Sequence, residues 1–200
     1  MAIDSYIAFQ QYSSGGAWLD SESQVDFSKI NQPLMDTPSK LTQGKIFEID
    51  DFSFDIEQTL NIGSQASGAG AGKVTFNPFS ITRKTDRASP LLFEMACSGT
   101  PFETVVLALA KSAGGATTAA VNSASLIFLR FDFKLVAVKT ISWSHDDESP
   151  KEQVTFEYGA LQVRYLQQDP TGKPLAAPIA GGWNRVRNVE DVSSTPLAAT

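Results

Sequence analysis

The chain alternates hydrophobic and polar residues with a period of two over several segments, a pattern typical of β-strands that bury one face. The clearest case is DFSFDIE, residues 51–57. Similar patterns predict strands over residues 2–12, 102–112, 126–143 and 152–166, the last two joined as a long antiparallel hairpin. In the 126–143 strand one parity is shared by Leu129, Phe131, Phe133, Leu135, Ile141 and Trp143. The pattern predicts a mainly β chain.

The alternation changes parity three times: between residues 49 and 52, at 77–78 and at 159–160. A one-residue slip inside a strand marks a bulge or a sharp bend. Three such corners favour strands that bend around a closed or nearly closed barrel.

One helix of about ten residues is predicted from its start and stop signals. Ser89 is a candidate N-cap, Pro90 suits the first helical position, and Gly99 provides the stop. The next segment, FETVVLALAKS, is compatible with a second helix, but Val105, Val106 and the alternation favour a strand.

The connection over residues 13–44 is unusually long. It is polar, contains two prolines and shows no sustained period. A loop of this length in a compact domain is usually functional or ordered by a partner.

A glycine-rich stretch, GSQASGAGAGKV at residues 63–74, comes close to a phosphate-binding loop without matching it. Ala69 follows Gly68 where the motif needs Lys, and in the other register Val74 replaces the Mg²⁺-binding hydroxyl. The residues that follow are predicted as a strand, whereas a phosphate loop opens a helix. The stretch therefore indicates a flexible connection between strands.

Composition restricts the function classes. The 200 residues fit one domain, and a net charge of −6 without a basic patch argues against nucleic-acid binding. The single cysteine, Cys97, allows no internal disulfide and fits a reducing cytoplasm. The N-terminal residues lack the features of a secretory signal, and no apolar run is long enough for a membrane span. Export would therefore need another machine.

Candidate catalytic and metal-binding residues are few. His145, the only histidine, lies in the predicted polar turn SHDDESPK, beside Asp146, Asp147 and Glu148. These carboxylates could offer oxygen ligands to Ca²⁺, but their spacing is not that of an EF-hand loop. A solvated acidic turn is the preferred interpretation.

Carboxylates also occur around the 51–57 strand, where Asp50 and Asp51 are adjacent and Asp51, Asp55 and Glu57 share its polar face. A glycosidase needs two carboxylates that flank a sugar bond, but surface strand carboxylates are far commoner. Cys97 falls near the C-terminus of the predicted helix, where the helix dipole disfavours a reactive thiolate. We expect no catalytic residue, no cofactor and no metal site.

Two segments resemble the Hcp family, the tail-tube proteins of bacterial type VI secretion systems. The first leads into the helix, and its matching residues are Lys73, Val74, Phe76, Phe79, Lys84, Asp86, Ser89, Pro90 and Leu92. The second closes the fold, and its matching residues are Phe156, Leu161, Val163, Tyr165, Gln168, Asp169, Gly172, Gly182, Trp183 and Asn184. The resemblance covers about residues 44–188 and the first strand.

The resemblance implies a two-sheet antiparallel β-barrel with one flanking helix, spanning residues 1–188 as a single tube domain. It implies hexameric rings that stack into a tube, which a contractile sheath expels from the cytoplasm, together with a VgrG-type spike, baseplate proteins and effector cargo in the lumen. Neither nucleic acid nor membrane insertion is implied. The insertion 13–44 is longer than usual for the family, and residues 189–200 are expected to be a disordered tail.

Two alternatives stay open at this stage. One is the tail-tube protein of a phage or another contractile injection particle, which shares the architecture. The other is a β-barrel hydrolase that uses Asp51, Asp55 or Glu57. For a tube subunit, the turn at 63–72 and the loop at 13–44 are the candidate contacts between subunits.

Overall fold

The computed structural model describes residues 3–12, 16–27, 34, 42–58, 74–111, 127–145, 149–169 and 174–192. Within these residues lie ten strands and one helix, so the predicted mainly β chain with a single short helix is confirmed. In chain order the elements are β1 (Ile3–Gln11), β2 (Phe47–Ile49), β3 (Asp51–Ser53), β4 (Ile56–Gln58), β5 (Val74–Phe76), β6 (Phe79–Lys84), α1 (Ser89–Ser98), β7 (Phe102–Lys111), β8 (Ile127–His145), β9 (Pro150–Tyr165) and β10 (Ile179–Asn184).

The strands form two antiparallel sheets. The larger has the order β2-β1-β7-β8-β9-β6-β3, with β10 also paired to β9, and the smaller is the pair β4-β5. Strands β2 and β3, at the two ends of the large sheet, are separated in sequence by Asp50 alone. The Asp50 N–H donates to the Thr82 carbonyl of β6 at 2.8 Å, so one short segment bridges both edges and the sheet is nearly closed into a barrel. The predicted barrel is confirmed.

Two of the three parity slips coincide with a change of strand partner. At Asp50 the chain leaves β1 for β6, and at Asn77-Pro78 it leaves the small sheet for the large one. Each slip lets apolar side chains on both sides of the corner point into the same barrel interior.

The third slip lies inside the β8-β9 hairpin. It shows that the predicted alternation of β8 is wrong. Leu135 has a φ of 50°, and beyond it the buried side chains of β8 are Val136 and Val138. The six residues of shared parity therefore do not line one face, because the left-handed backbone at Leu135 reverses the alternation. Opposite Leu135, β9 changes parity at Gly159, as predicted.

Aromatic rings dominate the interior of the barrel. Phe79 and Phe133 stack with their ring centroids 4.4 Å apart. The Phe9 ring packs against the rings of Phe47 and Phe102. All five are essentially inaccessible to solvent. Such rings bury a large apolar area each, so they supply much of the stabilisation of the fold.

A second hydrophobic cluster lies on the opposite face of β1 and β7. Its strand residues include Tyr6, Ala8, Val106 and Ala108. The described parts of the 13–44 connection cover it with Trp18, Phe27 and Leu34. This long connection is therefore attached to the sheet by buried side chains, which its polar composition did not predict.

Helix α1 begins differently from the prediction. Ser89 is its first residue and Ala88 is the N-cap, which makes no side-chain hydrogen bond to the helix. Ser89 Oγ instead accepts from the Asp86 N–H at 3.1 Å, while Asp86 Oδ1 accepts from the Ala88 N–H at 2.8 Å. The predicted end of the helix is confirmed, because Gly99 has a φ of 70° and its N–H donates to the Met95 carbonyl.

Two of residues 189–192, at the start of the predicted tail, contact the barrel, although only Val192 is buried. Val189 pairs with Asn184, and the buried Val192 lies against Gly182 of β10. Residues 193–200 lie outside the described residues. Among the helices that the structure describes, none has the length and apolar character needed to cross a bilayer.

Candidate assembly surfaces

An exposed aromatic pair links α1 to the far end of β8. The rings of Phe93 and Trp143 lie 5.9 Å apart, and each side chain remains 50% accessible. Pro90 is exposed beside them, and a shallow depression of about 410 Å³ runs along these three residues. We call Pro90, Phe93 and Trp143 the aromatic ridge.

Buried polar groups hold the ridge in place. Trp143 Nε1 donates to Glu152 Oε2 at 3.2 Å, and Glu152 Oε1 accepts from Arg83 Nε at 2.7 Å. Both members of this ion pair are inaccessible to solvent, and the Arg83 guanidinium also lies 4.8 Å from the centre of the Phe47 ring. Trp143 is thus fixed by a network whose charges are compensated within the protein.

A larger apolar groove lies between the small sheet and β10. Its volume is about 840 Å³, and most of the residues that line it are apolar. The lining residues are Ile56, Gln58, Val74, Phe76, Leu161, Val163, Gly181, Gly182, Trp183, Arg185 and Asn188. We call this cavity the Trp183 groove.

Two polar atoms at or behind the groove are buried without a partner. Trp183 Nε1 and the Tyr158 hydroxyl make no hydrogen bond to any residue that the structure describes. The Tyr158 ring stacks on Phe76, which lines the groove, and burial raises the pKa of Tyr158 to about 12. Each unpaired buried polar group costs free energy, because it has lost its hydrogen bonds to water.

Large apolar side chains are exposed on β10, in the residues that flank it and on β4. Ile179 and Val186 are 73% and 62% accessible, and Leu175 and Ile56 are also exposed.

A buried charged cluster lies on the outer face of β8 and β9. Asp132 accepts hydrogen bonds from Arg130 and Arg164, and Arg130 Nη1 also donates to the Leu34 carbonyl at 2.8 Å. Lys134 donates to Thr104 Oγ1 at 2.8 Å, and desolvation lowers the pKa of Lys134. The cluster ties the long connection to the sheet and has a structural part in the fold.

The residues considered for catalysis are not brought together. Asp51, Asp55 and Glu57 are all exposed, and Asp55 accepts from Asn77 Nδ2 at 2.6 Å. His145 is exposed at the end of β8, and Cys97 is an exposed free thiol on α1.

Parts of the other predicted sites lie outside the described residues. These are Asp146, Asp147 and Glu148 of the acidic turn and the turn 63–72. Across the part of the chain that the structure describes, no group of three potential metal ligands occurs.

The two apolar surfaces were not predicted from sequence as sites. Trp183 did appear among the family-like residues of the closing segment, which was the one available signal for the groove. Phe93 and Trp143 carry no signal of their own, because their proximity depends on how α1 packs against β8.

Comparison with known proteins identifies the family. The sequence model described as "Type VI secretion system effector, Hcp" matches residues 39–165, more than half of the chain. Protein hcp1 of Pseudomonas aeruginosa is 28% identical over 118 residues, which cover 59% of this chain and 69% of that protein.

Solved structures of similar fold agree with the match. One, described as a type six secretion system protein, has a TM-score of 0.68 at 23% identity and covers 95% of this chain and 100% of its own. Hcp1 from Salmonella typhimurium has a TM-score of 0.60 at 21% identity and covers 96% of this chain and 100% of its own. These likenesses support the barrel fold, and the family match goes further: the chain belongs to the Hcp family and is a structural tube subunit of a type VI secretion system.

Proposed function

We propose that this chain assembles into hexameric rings that stack into the inner tube of a type VI secretion system. The observation that carries the proposal is the presence of two separate exposed apolar surfaces, the aromatic ridge and the Trp183 groove, on a barrel of this family. A closed ring built from identical subunits by head-to-tail contacts needs two different surfaces on each subunit.

The other components of the machine follow from the same proposal. Rings would contact a VgrG-type spike and baseplate proteins, and a contractile sheath would expel the stacked tube from the cytoplasm. Effectors are proposed as cargo of the lumen. The chain has no part in catalysis, nucleic-acid binding or membrane insertion under this proposal, and residues 1–188 act as one tube domain with 13–44 as an insertion.

Light scattering on the purified protein over a range of concentrations tests the ring. Six copies of the 21.6 kDa chain give a mass of about 130 kDa. A species of this mass, with ring-shaped particles in electron micrographs, is the expected result. A stable monomer at every concentration would contradict the proposal.

The hydrolase alternative receives no support from the site geometry, because Asp51, Asp55 and Glu57 lie exposed outside any cavity lining described above. A tail tube of a phage or other injection particle has the same architecture, and the genes adjacent to this one would distinguish it.

A further inference from the structure

We propose that the aromatic ridge of one copy docks into the Trp183 groove of the next copy around the ring. This inference rests on the proposed ring assembly and adds the contact that builds it. Ridge and groove are different surfaces of one chain, so a contact between them is head-to-tail and leaves a free ridge at one end and a free groove at the other until the ring closes.

The positions of the two surfaces suit such a contact. Trp143 of the ridge is opposite Glu152, and Trp183 of the groove is opposite Leu161. These β9 residues are separated by about 30 Å of extended strand. One subunit can therefore present its ridge to one neighbour and its groove to the other.

The chemistry of the two surfaces is complementary. The ridge offers apolar rings that are half exposed, and the groove offers an apolar cavity large enough for side chains of that size. The charges are also of opposite sign, because exposed Glu94 lies beside Phe93, and exposed Arg185, which lies 3.5 Å from Glu157 of its own chain, lines the groove.

The ridge also has the rigidity of an interface anchor. The Arg83–Glu152 pair holds Trp143 through the Nε1 hydrogen bond, so little side-chain freedom remains to be lost on docking. Aromatic residues of this kind commonly contribute most of the affinity of a protein contact.

Substitutions that fill the groove without altering the barrel provide the first test. A Cβ on Gly181 would meet nothing within 4 Å, so Gly181→Phe places a ring in the groove at little cost to the fold. The matched control is Ala180→Phe on the neighbouring exposed position of β10, which does not line the groove. On the ridge, Phe93→Ser is compared with Cys97→Ser, an exposed position one turn further along α1.

The assembly of each variant is followed by light scattering against concentration, with circular dichroism as the check on folding. Gly181→Phe and Phe93→Ser are expected to raise the concentration for half assembly by about tenfold or more, and the controls to leave it within about twofold. If both variants form rings at the concentration that the unmodified chain needs, the docking proposal is wrong, but the proposed ring assembly is retained. If the unmodified chain never exceeds a monomer, the proposed function itself fails, and the docking proposal with it.

Disulfide cross-linking between ridge and groove provides a second test, which does not rely on a change in the concentration for assembly. In a Cys97→Ser background, Pro90→Cys combined with Gly181→Cys is oxidised after assembly and run on a denaturing gel. A ladder that ends at six linked subunits is expected from the double variant, with no ladder from either single variant. Rings that give no ladder, or dimers alone, overturn the head-to-tail contact.

Discussion

Leu135 of β8 and Gly159 of β9 lie opposite each other where both strands change the face that enters the core. Leu135 has a φ of 50°, and the flanking pairs Lys134–Ala160 and Val136–Tyr158 keep the same register on both sides. Because the two strands slip together, the hairpin reverses its buried face without losing its pairing. Both halves of the hairpin can therefore bury apolar side chains in one bent barrel wall.

The close approach at this point predicts that Gly159→Ala destabilises the protein. The added Cβ would lie 3.2 Å from Val186 Cγ2 and 3.3 Å from Leu135 Cβ, so these side chains would have to move by a few tenths of an ångström. We expect the free energy of unfolding to fall by about 1–3 kcal/mol in urea titrations. Gly181→Ala, which meets nothing within 4 Å, should stay within about 0.5 kcal/mol of the unmodified chain. Equal effects at both positions would contradict the steric explanation.

The buried ion pair under the ridge predicts a large effect of Glu152→Ala. The substitution leaves the Arg83 guanidinium buried without its main partner and removes the acceptor of Trp143 Nε1. Breaking such a pair costs about 3–5 kcal/mol of unfolding free energy. Glu157→Ala on the same strand removes exposed contacts to Lys139 and Arg185 and should cost less than about 1 kcal/mol. Chemical denaturation of the two variants measures the difference, and similar costs would refute the role of burial.

The buried Tyr158 hydroxyl predicts a loss of stability in alkali. Burial raises the pKa of Tyr158 from 10.0 to about 12. Between these values the unfolded chain releases the proton while the folded chain keeps it, so stability falls as pH rises from about 10 to about 12 and is unaffected below pH 9. The loss attributable to this group is at most about 3 kcal/mol.

Tyr158→Phe isolates that contribution. The hydroxyl makes no hydrogen bond to a described residue, so the variant should match or slightly exceed the unmodified chain at pH 7. In urea titrations at pH 11.5 it should be clearly the more stable of the two. An unchanged difference between pH 7 and pH 11.5 would show that another group causes the alkaline loss.

The second hydrophobic cluster predicts that the long connection contributes to stability. Phe27 is buried against Tyr6, with ring centroids 5.1 Å apart. Phe27→Ala should lower the free energy of unfolding by about 3–5 kcal/mol and speed proteolysis within residues 13–44. Gln24→Ala, at an exposed position of the same segment, is the control and should leave both measurements nearly unchanged. Faster cleavage without a change in stability would mean that the connection packs independently of the barrel.

Local patterns in the sequence predicted the strands and the helix well, because hydrophobic alternation and glycine or proline signals act over a few residues. The sequence of β7 has a further signal. Its nearly continuous apolar run, from Val105 to Ala110, is typical of a strand buried on both faces, and the structure covers both faces.

Features that depend on contacts between residues distant in sequence could not be predicted from local patterns. Leu135 lies in the apolar run LVAV, where either parity could face the core, so its reversal had no local signature. Trp18, Phe27 and Leu34 follow no period, because a connection that lies across a sheet has no repeating geometry. The groove likewise exists only after β4, β5, β9 and β10 have come together.

The strand order also determines when the chain can fold during its synthesis. Ile7 of β1 pairs with Leu107 of β7, and Ile81 of β6 pairs with Val154 of β9. The first strand can pair early with β2, but a ribosome must release more than half of the polypeptide before β1 can pair with β7, and still more before β6 can pair with β9. Such non-local pairing slows folding and leaves apolar strands unprotected in the meantime. Such a chain is open to aggregation until β9 has emerged.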